Sequence, residues 1–368
     1  MCVMTYLDYS ASTPTSLTVL EHMHRIEREY FANINAKHAF ALRSKEVVLS
    51  YISKMASLLN IPSESLVFTS GATESNNMIL FGLAKSNPHK RHIISTSLEH
   101  HSVISPLGEL QKLGYELDFI PYLHGKLDLE ALKKLIREDT LCVSVIAVES
   151  ETGLVHPLKA IKAICDDYGV PLHSDMTQAV GKIPVDFNNV TYASFSSHKI
   201  YGPKGIGACV LMKDDIRPLI YGGRSLSKLR SGTPPNALIV GFAQAVIEAL
   251  EDLEVRISIV TQLRNQLTQK CDALKIVHVN TPHVGVPHIC NLSFMHHDRH
   301  ELVNQFSNHG FYVSASSACS GQENVSKAVL TVSENMDCAT SSLRVSLSHL
   351  TSESDIDSFV QVIKKVIQ

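Results

Sequence analysis

The stretch Tyr192-Ala193-Ser194-Phe195-Ser196-Ser197-His198-Lys199-Ile200-Tyr201-Gly202-Pro203-Lys204-Gly205-Ile206-Gly207 joins a short apolar run to a lysine and then to a glycine-rich turn. The run at 192–196 reads as a strand. A lysine at the end of such an element, flanked by serines and a histidine, suits an amine that forms a Schiff base with an aldehyde cofactor whose phosphate needs polar neighbours. Taken alone, the same residues also fit a polar loop carrying a solvated lysine.

Other runs of this type lie on the N-terminal side, at 65–69, 92–96, 116–120, 141–148 and 171–175. They show little polar alternation, as expected of a sheet covered on both faces. Helical patterns such as Leu129-Glu130-Ala131-Leu132-Lys133-Lys134-Leu135-Ile136 separate them. The alternation predicts an α/β fold with a mainly parallel central sheet flanked by helices.

Further along, a long helical pattern begins near Ala237 and passes Phe242, Val246, Ile247, Leu250 and Leu253. It reads as the connection into a second, smaller α+β domain. The expected boundaries are 13–250 for the large domain, with 1–12 and 251–368 forming the small one. Within the latter, Asn291-Leu292-Ser293-Phe294 reads as a strand. The last helix has Ser352 and Asp355 at capping-box spacing, with Ile356, Phe359, Val360, Ile363 and Ile367 as its apolar face.

Composition narrows the function classes. The chain has 368 residues, 44% of them hydrophobic, and a net charge of −3, which gives no sign of nucleic-acid or membrane-surface binding. No apolar run reaches the roughly 18–20 residues of a membrane span, and the N-terminus lacks the pattern of a secretory signal. The eight cysteines are dispersed without a C-x-x-C pair. They suit a reducing compartment, the cytoplasm, with most of them acting as small buried hydrophobes.

Two segments support the cofactor reading. Thr69-Ser70-Gly71-Ala72-Thr73-Glu74-Ser75-Asn76-Asn77 follows a strand and opens a helix. Small residues there let backbone N–H groups approach a phosphate. An ordinary turn with a Thr or Ser cap is the other reading. In His173-Ser174-Asp175-Met176-Thr177-Gln178, the aspartate follows an apolar strand, where it needs a partner such as a protonated pyridine nitrogen. It also fits a helix N-cap. The cluster His296-His297-Asp298-Arg299-His300-Glu301 lacks standard zinc spacing. It reads as a solvated turn before a helix, so no metal is expected.

Together these segments resemble the cysteine desulfurases, fold-type I pyridoxal 5'-phosphate (PLP) enzymes of the class V aminotransferase group. The resemblance runs from Tyr6-Leu7-Asp8-Tyr9-Ser10-Ala11 to Leu343-Arg344-Val345-Ser346-Leu347 and includes Arg230-Ser231-Gly232-Thr233. It implies Lys199 as the Schiff-base lysine, Asp175 at the pyridine nitrogen, Gln178 at the phenolic oxygen and His100 stacked on the ring and moving protons. It also implies Ala72, Thr73, Ser196 and His198 at the phosphate. Thr233 matches a phosphate contact given to a neighbouring subunit, hence a homodimer. Asn33 and Arg344 match positions that hold the carboxylate of the substrate, L-cysteine. Cys319, in Ser314-Ala315-Ser316-Ser317-Ala318-Cys319-Ser320-Gly321, matches the nucleophile. That cysteine takes the sulfur as a persulfide, releases alanine and passes the sulfur to an acceptor protein, in pathways such as iron–sulfur cluster biogenesis or tRNA thiolation.

The chain departs from the family pattern at Glu149-Ser150-Glu151-Thr152-Gly153, where Asn-Asn-Glu-x-Gly is usual. Ser150 stands where an asparagine contacts cofactor and substrate. A serine donates only one hydrogen bond. Glu149 brings a carboxylate that, facing the ring, disfavours its phenolate form. Ser348-His349 replaces a usual Gly-Arg, the segment 222–229 lacks the usual Glu and Arg, and the family's scaffold-docking tail is not expected after Gln368. Two other readings stand beside the desulfurase: a selenocysteine lyase or other cysteine or cystine C–S lyase, and a weakly active binding paralogue.

Overall fold

The computed structural model describes residues 4–282, 285–315 and 324–367. Seven strands form its main sheet: β1 Leu66–Thr69, β2 His92–Ser95, β3 Glu116–Phe119, β4 Thr140–Ser144, β5 Leu172–Asp175, β6 Tyr192–Ser196 and β7 Gly207–Leu211. Their spatial order is β1-β7-β6-β5-β4-β2-β3. The pairs among β6, β5, β4, β2 and β3 are parallel, while β7 runs antiparallel to both β6 and β1.

Adjacent residues on one strand serve opposite faces, as the two-residue period requires. Ile94, Ala193 and Val210 join a core with Ile161, Val240 and Phe242, whereas Ile93, Tyr192 and Cys209 join another with Met78, Leu83 and Leu107. Both faces are therefore dry, which explains why the strands read as apolar runs rather than alternating ones.

A smaller antiparallel sheet holds β8 Val277–Val279, β9 Ile289–Phe294 and β10 Ser342–Ser346 in the order β8-β9-β10. Its core contains Leu292, Phe294 and Val345 together with Leu263, Phe359 and Ile363. Leu7 joins the same core, and Thr5–Tyr6 pairs in parallel with Phe311–Tyr312. The capping box at Ser352 and Asp355 is present at the start of helix Glu353–Val366, and Ile356, Phe359, Val360 and Ile363 are buried beneath it.

Three expectations change. The helix expected to run on past Leu253 is two helices, Asn236–Glu251 and Leu253–Asp272, broken at Asp252. There the backbone leaves helical geometry, with φ −99° and ψ 7°, and the Asp252 carboxylate pairs with Arg256. The run at 141–148 is regular strand only to Ser144, although Val145 and Ala147 still donate to the His173 and Asp175 carbonyls. Strand β7 was not anticipated, because Gly205-Ile206-Gly207 reads as the tail of a turn. Cys142, Cys165, Cys209, Cys271, Cys290 and Cys338 are free and buried. Asp298 caps helix Arg299–Asn308 by accepting from the His300 and Glu301 N–H groups, so only residues 296–298 form the expected turn, and Arg299, in the first helical turn, is buried rather than solvated.

Candidate active site

The parallel strands end on one side of the sheet in a cavity of about 530 Å³. This is ample for a small cofactor with an amino acid joined to it. Strand β6 delivers Ser196, then a single tight turn carries His198 and Lys199 into the cavity wall. The turn closes because residue 202 is glycine: a Cβ there would lie 2.0 Å from Ser197 Oγ. Tyr201 is held at φ 66°, with its N–H donating to Thr13 Oγ1 and its hydroxyl 2.5 Å from Ser348 Oγ. Lys199 Nζ donates to the carbonyls of Ser10 and Ala11 at 2.6 and 2.8 Å.

Asp175 is the last residue of β5 and is 3% exposed. No helix begins at that point in the described chain. Its Oδ1 accepts from Thr177 N and its Oδ2 from Asn76 Nδ2, both at 2.9 Å. The same Asn76 amide donates to Ser102 Oγ at 2.8 Å, while its Oδ1 accepts from Ser194 Oγ and pairs with His173 Nε2. Ser102 Oγ lies 2.8 Å from His100 Nδ1, which also accepts from Ser102 N at 3.1 Å. Nδ1 is thus an acceptor, and the proton of the neutral ring sits on Nε2. Burial holds the His100 pKa below the ordinary imidazole value, with Asp175 pulling the other way.

At the other end of the cavity, helix Ala72–Ser86 starts at Gly71 with no side-chain cap. The Thr or Ser cap expected of an ordinary turn is therefore missing, leaving first-turn N–H groups to face an anion. The turn is close because β7 begins with a glycine: a Cβ at Gly207 would lie 2.7 Å from the Gly71 backbone. Glu74 takes the Ser70 N–H at 2.7 Å and pairs with Arg230 at 3.0 Å. That pair ties the 230–233 loop to the helix start. Burial would raise the Glu74 pKa, but Arg230 and Ser70 outweigh it and the net shift is downward. His198 Nδ1 lies 3.3 Å from Ser12 Oγ, and burial, with Lys199, Lys182 and Lys204 nearby, lowers its pKa to about 4.

Arg344, on β10, is 1% exposed and reaches the same cavity from the smaller sheet. Its Nη2 contacts Asp8 Oδ1 at 2.7 Å and its Nη1 donates to Ser150 O at 3.0 Å. Buried Nε has no hydrogen-bond partner among the described residues, an arrangement that suits an incoming carboxylate.

Ten anticipated residues thus line one cavity: Lys199, His100, Ala72, Thr73, Ser150, Asp175, Gln178, Ser196, His198 and Arg344. Asn33 and Thr233 are exposed and do not line it. Cys319 lies outside the described residues. Its flanks are placed: Ser314 pairs through backbone hydrogen bonds with Arg344, and Ser326 donates to Glu151 Oε2 at 2.5 Å.

Glu149 does not face the cavity. Its carboxylate turns back on its own loop, accepting from Glu151 N, Thr152 N and Thr152 Oγ1, each at 2.7 Å. Burial and Glu151 push its pKa up to about 7 against those bonds. Asn76, Ser102 and the Ser10 and Ala11 carbonyls were not singled out from the sequence. For Asn76 the available signal was its place one helical turn beyond Ala72, on a buried face.

These residues fit PLP. A buried carboxylate, a lysine amine and an uncapped helix start share the cavity, and the buried hydroxyls of Ser10 and Thr177, both lining it, have no partner among the described residues. A sequence profile of the family Aminotransferase class-V matches residues 5–359. The chain is 33% identical to "Cysteine desulfurase IscS" of Dictyoglomus turgidum, covering 99% of this chain and 94% of that protein. Among solved structures, one titled "NIFS-LIKE PROTEIN" superposes with a TM-score of 0.92 at 33% identity, covering 99% of each chain. Another, "SspA in complex with cysteine", gives 0.82 at 30% identity, covering 94% of this chain and 99% of that one.

Proposed function

The chain belongs to the class-V aminotransferase family and acts as a cysteine desulfurase with PLP as cofactor; we propose that it takes sulfur from L-cysteine through Cys319 and hands it on to an acceptor protein. The observation that carries this assignment of roles is that Lys199, Asp175, His100 and Arg344 line a single cavity. The cofactor, when bound, supplies an electron sink for negative charge developing on the substrate carbons.

In this assignment Lys199 would hold the cofactor through its Nζ amine, and the same amine would carry the proton taken from the substrate α-carbon. The Asp175 carboxylate keeps a proton on the pyridine nitrogen, and the Asn76 and Thr177 donors hold it in place as an acceptor. His100 offers its Nε2–H towards the ring. Gln178, whose Nε2 donates to Ser10 O and whose Oε1 accepts from Lys182, has a second amide hydrogen for the phenolic oxygen. Ala72, Thr73, Ser196 and His198 would hold the phosphate, and the Ser150 hydroxyl would supply one donor from the cavity wall. The Arg344 fork holds the substrate carboxylate, with Asn33 as its proposed companion.

Cys319 then acts as nucleophile. Its thiolate sulfur bonds to the substrate sulfur as the Cβ–S bond breaks. The electron pair stays with carbon, which is protonated to give alanine, and Cys319 keeps the persulfide. Cys319 is five residue steps along the chain from Ser314, which is bound to Arg344, a chain reach of up to about 17 Å.

Thr233, exposed on a loop tied to the phosphate end, is proposed to serve the neighbouring subunit of a homodimer. A large unit of 13–250 and a small one of 1–12 with 251–368 are supported by the core that gathers Leu7 with residues 260–363, although Val286 and Ile289 pack into the core of the large unit. No helix among the described residues is long and apolar enough to cross a membrane; the dispersed thiols favour the cytoplasm. The test compares wild type with Cys319→Ala for sulfide and alanine release from L-cysteine, with bound PLP followed by absorbance. Loss of release with PLP retained is expected, and undiminished release removes Cys319 from the reaction.

A further inference from the structure

A second cavity, of about 40 Å³, also touches Lys199 and shares no other lining residue with the large one. Its wall carries Lys182, Lys199, Arg256, His288 and His349, and no acidic residue among those described. His288 is only 6% exposed, and neither of its ring nitrogens has a hydrogen-bond partner among the described residues. Lys182 donates to the neutral Gln178 Oε1 at 2.5 Å. Besides burial, Lys199 and Arg344 hold the Lys182 pKa down, and Lys182, Arg344 and Arg264 do the same at His288, although Arg344 is itself paired with Asp8. Arg256 is partly answered outside the cavity by Asp252 at 3.2 Å.

Lys182 is half-buried with no acidic residue facing it in this cavity among the described residues, and the buried imidazole of His288, with both nitrogens unused, forfeits two hydrogen bonds. Something is expected to meet them. A space of at least about 10–15 Å³ admits a water, so this cavity holds one monatomic ion or a few waters but not an amino acid. The hydroxyls of Tyr201 and Ser348, 2.5 Å apart, complete a polar wall.

We propose that this cavity is a binding site for one small monovalent anion of the halide class, held between Lys182 and His288. The anion draws a proton onto both groups and offsets the positive charge gathered beside the Lys199 amine. The site shares Lys199 with the sulfur chemistry, but its test reads anion binding and not turnover.

The holoenzyme provides the test in two ways. Crystals soaked in sodium bromide and measured at the bromine edge should show an anomalous peak about 3–3.5 Å from Lys182 Nζ and from a His288 ring nitrogen. Non-anomalous density of water alone, or no density, overturns the proposal. In solution, replacing sodium gluconate by sodium chloride at equal ionic strength should raise Tm saturably by about 1–3 °C, the scale expected of a site filled to about ten times its Kd in a chain this long. His288→Leu should abolish that rise, and a rise that persists in the variant counts against the site. Should the variant fail to fold, the bromide soak and the wild-type salt comparison decide the matter.

Discussion

Replacing Arg344 with lysine isolates the carboxylate clamp. Arg344 spends Nη2 on Asp8 and Nη1 on the Ser150 carbonyl, at 2.7 and 3.0 Å, and keeps a buried Nε in reserve. A lysine retains the charge, and so does not strand Asp8, but it offers a point in place of a planar fork. With Asp8 taking the ammonium, the substrate carboxylate loses one charge-assisted hydrogen bond. Such a bond is worth about 1.5–3 kcal/mol, so kcat/KM for L-cysteine should fall roughly 10- to 150-fold, mainly through KM. The assay is steady-state sulfide release in the presence of a reducing thiol, which reads both compounds below, with bound PLP quantified by absorbance in each sample. Cysteamine, which keeps the thiol and amine but has no carboxylate, serves as the control, and its slower rate should not change on substitution. An equal loss with both compounds, or no loss with L-cysteine while PLP stays bound, would refute the clamp.

Ser150 lines the cavity and offers one hydroxyl hydrogen where an amide offers two. Ser150→Asn should therefore raise the desulfuration rate several-fold, and an unchanged or lower rate in L-cysteine turnover argues against a limiting role for this position. Stability should carry an acid signature as well. Burial holds His156 and His173 down to about 4 in the folded protein, against about 6.5 in the unfolded chain. Between those values the unfolded chain binds protons that the folded one refuses, so stability falls as pH falls, by up to about 1.4 kcal/mol per pH unit for each histidine. Above the unfolded value both are neutral in either state and this contribution is flat. Urea titrations from pH 7 to 4.5 should show the slope, and His156→Gln should remove one histidine's share of it; an identical slope in the variant would dispose of the attribution.

Much of the fold was legible because burial on both faces writes itself into the sequence as apolar runs; five strands of the main sheet are such runs, whereas the edge strand β3 stands where expected but is partly exposed and alternates polar with apolar residues. Strand β7 was missed because Gly207 serves two ends at once. It must be small to let the Gly71 turn come close, and that smallness disguised the strand as turn. The break at Asp252 was also hidden, since the apolar period carries on through Leu253 without a proline or glycine to mark it. In the site, the residues that touch the cavity were legible through family resemblance, whereas the direction of Glu149 was not. A carboxylate two and three residues ahead of free N–H groups is captured locally, and the neighbouring sequence Glu151-Thr152 supplied those donors.

The least legible residue is the one that sets the polarity of the site. Asn76 has four partners: its Nδ2 donates to Asp175 and Ser102, and its Oδ1 meets Ser194 and His173. An amide so fully engaged cannot flip without losing several bonds in a buried place. Its donors therefore always face Asp175, which keeps that carboxylate an acceptor for a protonated ring nitrogen. Through Ser102 the same amide fixes His100 Nδ1 as an acceptor and leaves the proton on Nε2. The electron-withdrawing end of the site and its imidazole are thus oriented by one side chain that lines neither cavity. Sequence spacing cannot disclose this, because Asn76, Ser102, Asp175 and Ser194 come from four separate elements that meet only when the sheet and its covering helices have packed.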